Sequence, residues 1–225
     1  SYLMKYLRGT KDIPLVLSAD GTGVLKWWVD ASFAVHPNMR GHSGGGLSLG
    51  HGFPIVSSTK QKLNTRSSTE TEVVGVDDFM PAICWTRLFM KAQGWNLEDN
   101  VLAQDNKSSI LLENNGKASS SKRTKHINVR YFFVTDRIAK GELRVEWCPT
   151  LEMVGDYMTK PLQGALFCKF RDLIMGHKQA PMKTKDSKEA KPSLASPVQR
   201  KGRHRSVLDK MDYSAEHTKT KKSHG

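Results

Sequence analysis

The chain has 225 residues, 38% of them hydrophobic, which is enough for one domain with a real core plus a polar extension. Its formal net charge of +13 favours a polyanionic partner, nucleic acid first. No apolar run is long enough to span a bilayer and no secretory signal precedes the first strand; with only three cysteines, Cys84, Cys148 and Cys168, far apart and without C-x-x-C spacing, neither a disulfide framework nor a structural zinc site is expected.

In chain order, Tyr2 to Leu7 predicts the end of a helix closed by Gly9, and the chain, opening on Ser1, is expected to be a piece of a longer one. Pro14–Leu17 and Val24–Val29 read as strands, the second running into Asp30. GHSGGG at Gly41–Gly46 reads as a glycine-rich turn, followed by a hairpin of Leu47–Leu49 and Pro54–Ser57 that turns near Gly50–Gly52. A long helix begins near Ser67, which can cap it with Glu70 in the first turn. Glu72, Val76, Phe79, Met80 and Ile83 share one face of this helix, and Glu70 shares another with Val74, Asp77 and Asp78. Pro81 predicts a kink or restart before the pattern stops at Gly94.

Val101–Gln104 then reads as a short strand with Asp105 at its end, Ser108–Glu113 as a helix and Gly116–Thr124 as a basic loop. Ile127, Tyr131, Val134 and Ile138 make a helical stripe closed by Gly141, and Leu143, Val145 and Trp147 alternate as a strand. Two short helical patterns follow, around Val154–Met158 and Ala165–Met175. From His177 on, Lys, Ser, Pro and Arg dominate, with 13 Lys and Arg against 5 Asp and Glu, so this segment carries +8 and the remainder +5. With so little apolar side chain to bury, residues 177–225 are expected to be a disordered basic tail. Within it, RKGRHR at Arg200–Arg205 reads either as a nuclear localisation or nucleic-acid patch or as sequence without a selected role.

Four acids fall at telling places: Asp30 and Asp105 at strand ends, Glu72 on the long helix, Asp156 on a late one. Strand-end acids often only cap turns, and Asp156 alone could be a solvated helix residue. Glu72 is harder to dismiss, because a carboxylate on an apolar face needs a partner, a cation or water. Phosphodiester hydrolysis adds negative charge to an anionic centre, and hard cations such as Mg²⁺ prefer carboxylate ligands. Two such ions about 4 Å apart can hold the attacking water and the leaving oxygen together while relieving repulsion between the carboxylates.

RSSTETEVVGV at Arg66–Val76, QDNKSSI at Gln104–Ile110, RTKHINVRYFF at Arg123–Phe133 and VGDYMTKPL at Val154–Leu162 resemble, in order, blocks of the ribonuclease H domain of copia-type retrotransposon polyproteins. YLRGTKD at Tyr6–Asp12 is similar to the segment that joins reverse transcriptase to that domain. The resemblance implies an α/β fold of the ribonuclease H type, a mixed five-stranded sheet flanked by helices. It divides the chain into residues 1–20 as the end of the reverse transcriptase connection, 21–176 as the ribonuclease H-like domain and 177–225 as the tail. It implies cleavage of the RNA strand of RNA–DNA hybrids with Mg²⁺ or Mn²⁺, two ions, leaving a 3′-hydroxyl and a 5′-phosphate. Asp30, Glu72, Asp105 and Asp156 become the catalytic and metal-binding carboxylates, Asp30 bridging both ions and Asp156 supporting the one beside the attacking water. Glu72 is preferred to Glu70 because the family's glutamate is followed three residues later by a small residue, here Gly75, and the helical faces give the same answer. The implied partners are the hybrid and the reverse transcriptase portion of the same polyprotein, with no membrane. The implied location is intracellular, in a cytoplasmic particle or the nucleus.

Lys122, Arg123 and Lys125 read either as phosphate contacts or as an ordinary solvated loop, and His126 reads as a packed helix-start residue. His36, His42 and His51 read as surface histidines. VDASFAVH at Val29–His36 departs from the family's acid-rich block, with Ser32 at the second acid and Phe33 at the tryptophan. These departures raise the alternative of an inactive retroelement remnant that folds and binds nucleic acid without cutting it.

Overall fold

The computed structural model describes residues 2–115 and 128–180, all in one compact unit. Its centre is β2 (Val24–Ser32), whose run of hydrophobic residues is buried on both faces. Leu25, Trp27 and Val29 point one way, into a core with Val76, Phe79, Met80, Ile83, Leu102 and Val134. Trp28 points the other way, against Phe53, Ala103, Met153, Val154 and Phe170. Both Trp27 and Trp28 are fully buried, and the Trp27 indole N–H donates to Asn100 Oδ1 at 3.1 Å.

Around β2 the sheet holds β3 (His42–Ser48), β5 (Ile55–Lys60), β6 (Asp99–Gln104) and β7 (Arg144–Trp147), in the order β5-β3-β2-β6-β7. β5, β3 and β2 pair antiparallel, whereas β2, β6 and β7 pair parallel. The helices are α1 (Tyr2–Thr10), α2 (Ser68–Ala92), α3 (Lys107–Asn115), α4 (Asn128–Ala139), α5 (Asp156–Thr159) and α6 (Gly164–Ile174). α2 and α4 cover the Trp27 face, and α5 and α6 with the residues before them cover the Trp28 face. This is the mixed, helix-flanked five-stranded sheet that the sequence resemblance implies. No helix among the described residues is long and apolar enough to cross a membrane.

Three local expectations change. GHSGGG is not a turn: His42–Ser48 is β3, a central strand hydrogen-bonded on both sides. Its glycines mark close approach by other elements rather than chain reversal. Pro14–Leu17 forms no strand. It runs past the end of α6, with the Val16 N–H donating to Met175 O at 2.9 Å, and pairing is confined to β1 (Ser18–Ala19) with β4 (Gly50–His51). α2 does not restart at Pro81 but runs on to Ala92, the proline ring lying at an exposed position while Met80 and Ile83 anchor the helix to the core on either side.

Structure also runs past Gly176. The His51 backbone bridges to Gln179, Ala180 is buried with its N–H donating to Gly50 O at 3.1 Å, and a His177 ring nitrogen lies 2.8 Å from Pro14 O. The remainder of the expected tail, residues 181–225, lies outside the described residues.

Candidate metal centre

β2 and β6 run parallel as neighbours, so their C-terminal ends lie side by side. Asp30 sits near the end of the first, 1% exposed, and Asp105 directly follows the second. α2 supplies the third acid from its first turns. Ser67 caps this helix, its hydroxyl accepting from Glu70 N–H at 3.2 Å, and the Glu70 carboxylate accepts from Arg66 N–H at 2.7 Å. Glu70 is therefore spent on the cap, and Glu72, on the buried face, is the glutamate that reaches the strand ends. Gly75 lies where α2 crosses β2: a Cβ there would stand 3.0 Å from Ala31 Cβ.

Carboxylate oxygens of Asp30, Glu72 and Asp105 all lie within 4.8 Å of one another. Burial, then the charges of Asp30 and Asp105, push the Glu72 carboxyl up to about 9. Burial and Asp30 likewise raise Asp105. Glu72 Oε2 is buried without a hydrogen-bond partner. Three hard oxygen donors, crowded together with one oxygen orphaned, fit a divalent cation, which satisfies that oxygen and relieves the mutual repulsion.

Asp156 is not within that triad but lies beside it. α5 packs on the sheet over Gly44, where a Cβ would meet Met158 Cβ at 2.5 Å, and beside Gly155, where one would stand 3.0 Å from Asp30 Cβ. The two missing side chains let the short helix rest directly on β2 and β3. Asp156 is buried, and burial followed by the Asp30 charge pushes its carboxyl up to about 6. Lys160 answers both acids, its ammonium 2.7 Å from Asp156 Oδ1 and 3.5 Å from Asp30 Oδ1. The Thr159 hydroxyl donates to Asp30 Oδ2. Sequence reasoning did not single out Thr159 and Lys160. Their signal is spacing, three and four residues after Asp156 and so on its side of a helical turn. Lys122, Arg123, Lys125 and His126 lie outside the described residues.

Among known proteins, a Pol polyprotein of transposon TNT 1-94 from Nicotiana tabacum is 29% identical over 177 residues, 78% of this chain. Those of transposons RE2 and RE1 from Arabidopsis thaliana are 32% and 31% identical, over 75% and 76% of the chain. Its homologues are retrovirus-related Pol polyproteins of copia-type transposons. The chain spans only 12–13% of the length of these Pol relatives. No family model matches it. Among solved structures, LC11-RNase H1, isolated from compost by a metagenomic approach, aligns at 9% identity and a TM-score of 0.44, covering 61% of this chain and 93% of that one. The N-terminal RNase H domain of rv2228c from Mycobacterium tuberculosis aligns at 11% identity and a TM-score of 0.38, covering 60% and 90%.

Proposed function

We propose that residues 21–176 form a metal-dependent ribonuclease H that hydrolyses the RNA strand of RNA–DNA hybrids during retrotransposon reverse transcription. The observation that carries this is the convergence of Asp30, Glu72 and Asp105 within 4.8 Å, with a Glu72 oxygen buried and unpartnered. The Pol homologues support the same reading.

Asp30, Glu72 and Asp105 would hold Mg²⁺ or Mn²⁺, two ions in the pattern the resemblance implies, with Asp156 completing the set. Bound there, the metal supplies positive charge against the negative charge that builds on the phosphodiester as it is attacked. The chain's own side chains do the rest. Asp30, held by Thr159, keeps a fixed orientation at the centre of the acids. Asp156, buried beside Asp30 and ion-paired with Lys160, would add a fourth carboxylate to the site once a cation offsets the crowding of negative charge. The RNA strand is distinguished by its 2′-hydroxyls, and basic side chains add salt-dependent affinity for phosphates.

The test is cleavage of a labelled RNA–DNA hybrid with Mg²⁺ or Mn²⁺, beside Asp105→Asn. Cutting of the RNA strand that disappears in the variant is the expected result. A folded wild-type chain that leaves the hybrid intact, even with the polymerase portion of a Pol relative supplied, overturns the assignment.

A further inference from the structure

α5 is only four residues long, so its last carbonyls have no helical N–H to accept from. Two of them are taken by hydroxyls from strands. Ser58 Oγ on β5 donates to Met158 O at 2.7 Å, and Ser32 Oγ on β2 donates to Thr159 O at 3.2 Å. The register shows how this is built. Asp30, Gly44 and Ser58 form one row across β2, β3 and β5, and Ser32, His42 and Lys60 form the next. Gly44 leaves room for α5, Asp30 takes the Thr159 hydroxyl at one end of the row, and Ser58 holds Met158 O at the other.

Two histidines stand behind Ser58. His42 Nε2 lies 2.8 Å from Ser58 Oγ, and His36 Nε2 lies 3.0 Å from His42 Nδ1. Their protons follow from the far end. Met158 O can only accept, so Ser58 donates to it and must accept from His42 Nε2–H. In the neutral ring His42 Nδ1 then carries a lone pair and accepts from His36 Nε2–H. His36 sits in the connection between β2 and β3, where Ala34 (φ 52) and Met39 (φ 59) hold left-handed backbone conformations without being glycine. Such outliers persist only where contacts fix the loop, and the His36–His42 bond is one of these contacts.

We infer that His36, His42, Ser58 and Ser32 are positioning residues that clamp the end of α5 and so hold Thr159 and Lys160 onto Asp30. Burial, then the His36 charge, lowers the His42 pKa, which favours the neutral ring the chain of bonds requires. The clamp itself is independent of the ribonuclease reading, and only its effect on cleavage rests on that reading.

The test uses the full chain and three variants: Ser58→Ala, His42→Ala, and His42→Gln, which keeps an N–H donor for Ser58. Long-range ¹H–¹⁵N NMR of the wild type should show both His36 and His42 protonated at Nε2. Exchange of the Lys160 amide, which donates to Asp156 O at 2.9 Å, should quicken roughly tenfold in Ser58→Ala and His42→Ala and return toward wild type in His42→Gln. On a hybrid substrate with Mn²⁺, kcat should fall roughly tenfold in the two alanine variants with KM held, and recover in His42→Gln. A Nδ1-protonated His42, or Lys160 exchange unchanged in a folded Ser58→Ala chain, overturns the clamp. Quickened Lys160 exchange in the two alanine variants, with a wild type that cuts nothing, supports the clamp and counts against the ribonuclease reading alone.

Discussion

At Glu72 a carboxylate on an otherwise apolar helix face meets two more acids, and its ionisation in the absence of a cation works against the fold. Glu72→Gln should raise the melting temperature of the metal-free chain at about pH 8: with the folded carboxyl raised from 4.5 to about 9, wild type must take up a proton to fold at that pH, and glutamine need not. It should also abolish the upward shift expected of the wild type in millimolar Mg²⁺ or Mn²⁺, as a thermal scan with and without metal would show. Glu113 is a second buried acid, fully shielded from solvent, with Ser109 donating to one oxygen at 2.8 Å and the other unpartnered. Burial, against the Ser109 bond, pushes it up to about 7. Its folded pKa thus lies above the unfolded value of 4.5, so the folded chain binds more protons between the two. The stability this gives is full below the unfolded value and is lost as pH rises through about 7. Glu113→Gln should therefore be more stable than wild type at about pH 8, by about 3 kcal/mol, with the difference vanishing near pH 4 in urea titrations. The choice of Glu72 over Glu70 was legible because helical faces and caps are local. The burial of Glu113 was not, since its position in α3 carries no periodic signal that separates a buried acid from a solvated one.

The elements show the same division between local and distant causes. β2, α2 and β6 declare themselves through an apolar run, a cap and a strand-end acid, all within a few residues. β3 does not, because its glycines answer to groups on other elements: Gly44 to Met158, more than a hundred residues on, and Gly45 to Trp28 on β2. Read in isolation they look like a turn; read in the sheet they are the floor on which α5 stands. Gly44→Ala should drive α5 from that floor, because the new methyl meets Met158 Cβ at 2.5 Å and its backbone carbon at 3.0 Å. The expected cost is about 1–3 kcal/mol in a denaturation curve, with secondary structure kept and thermal stabilisation by metal much reduced. Asp156 follows the same logic. Its motif was readable, but its place beside rather than inside the triad depends on how closely Gly44 and Gly155 let α5 approach.

Across the whole molecule, the segment before β2 and the segment after α6 are packed together. Tyr6 meets the Phe167 ring edge-on at 5.8 Å, Val16 bonds to Met175, and the His177 ring meets Pro14 O. The composition change at His177 is real, yet the next few residues still close the fold through His51, Gly50 and Asp172. A chain ending at Ala180 should accordingly melt several degrees higher than one ending at Gly176. That corresponds to about 2 kcal/mol for the buried Ala180 and its neighbouring hydrogen bonds. The meeting of these two segments also has a mechanical consequence. When a longer polypeptide is tugged at both flanks of the domain, the force enters and leaves at adjoining points. The outermost contacts, Tyr6 with Phe167 on one flank and Gln179 and Ala180 with His51 and Gly50 on the other, take the load ahead of Val16–Met175 and Pro14–His177, while the β2–β6 pairing that sets the carboxylates together stays outside the line of tension.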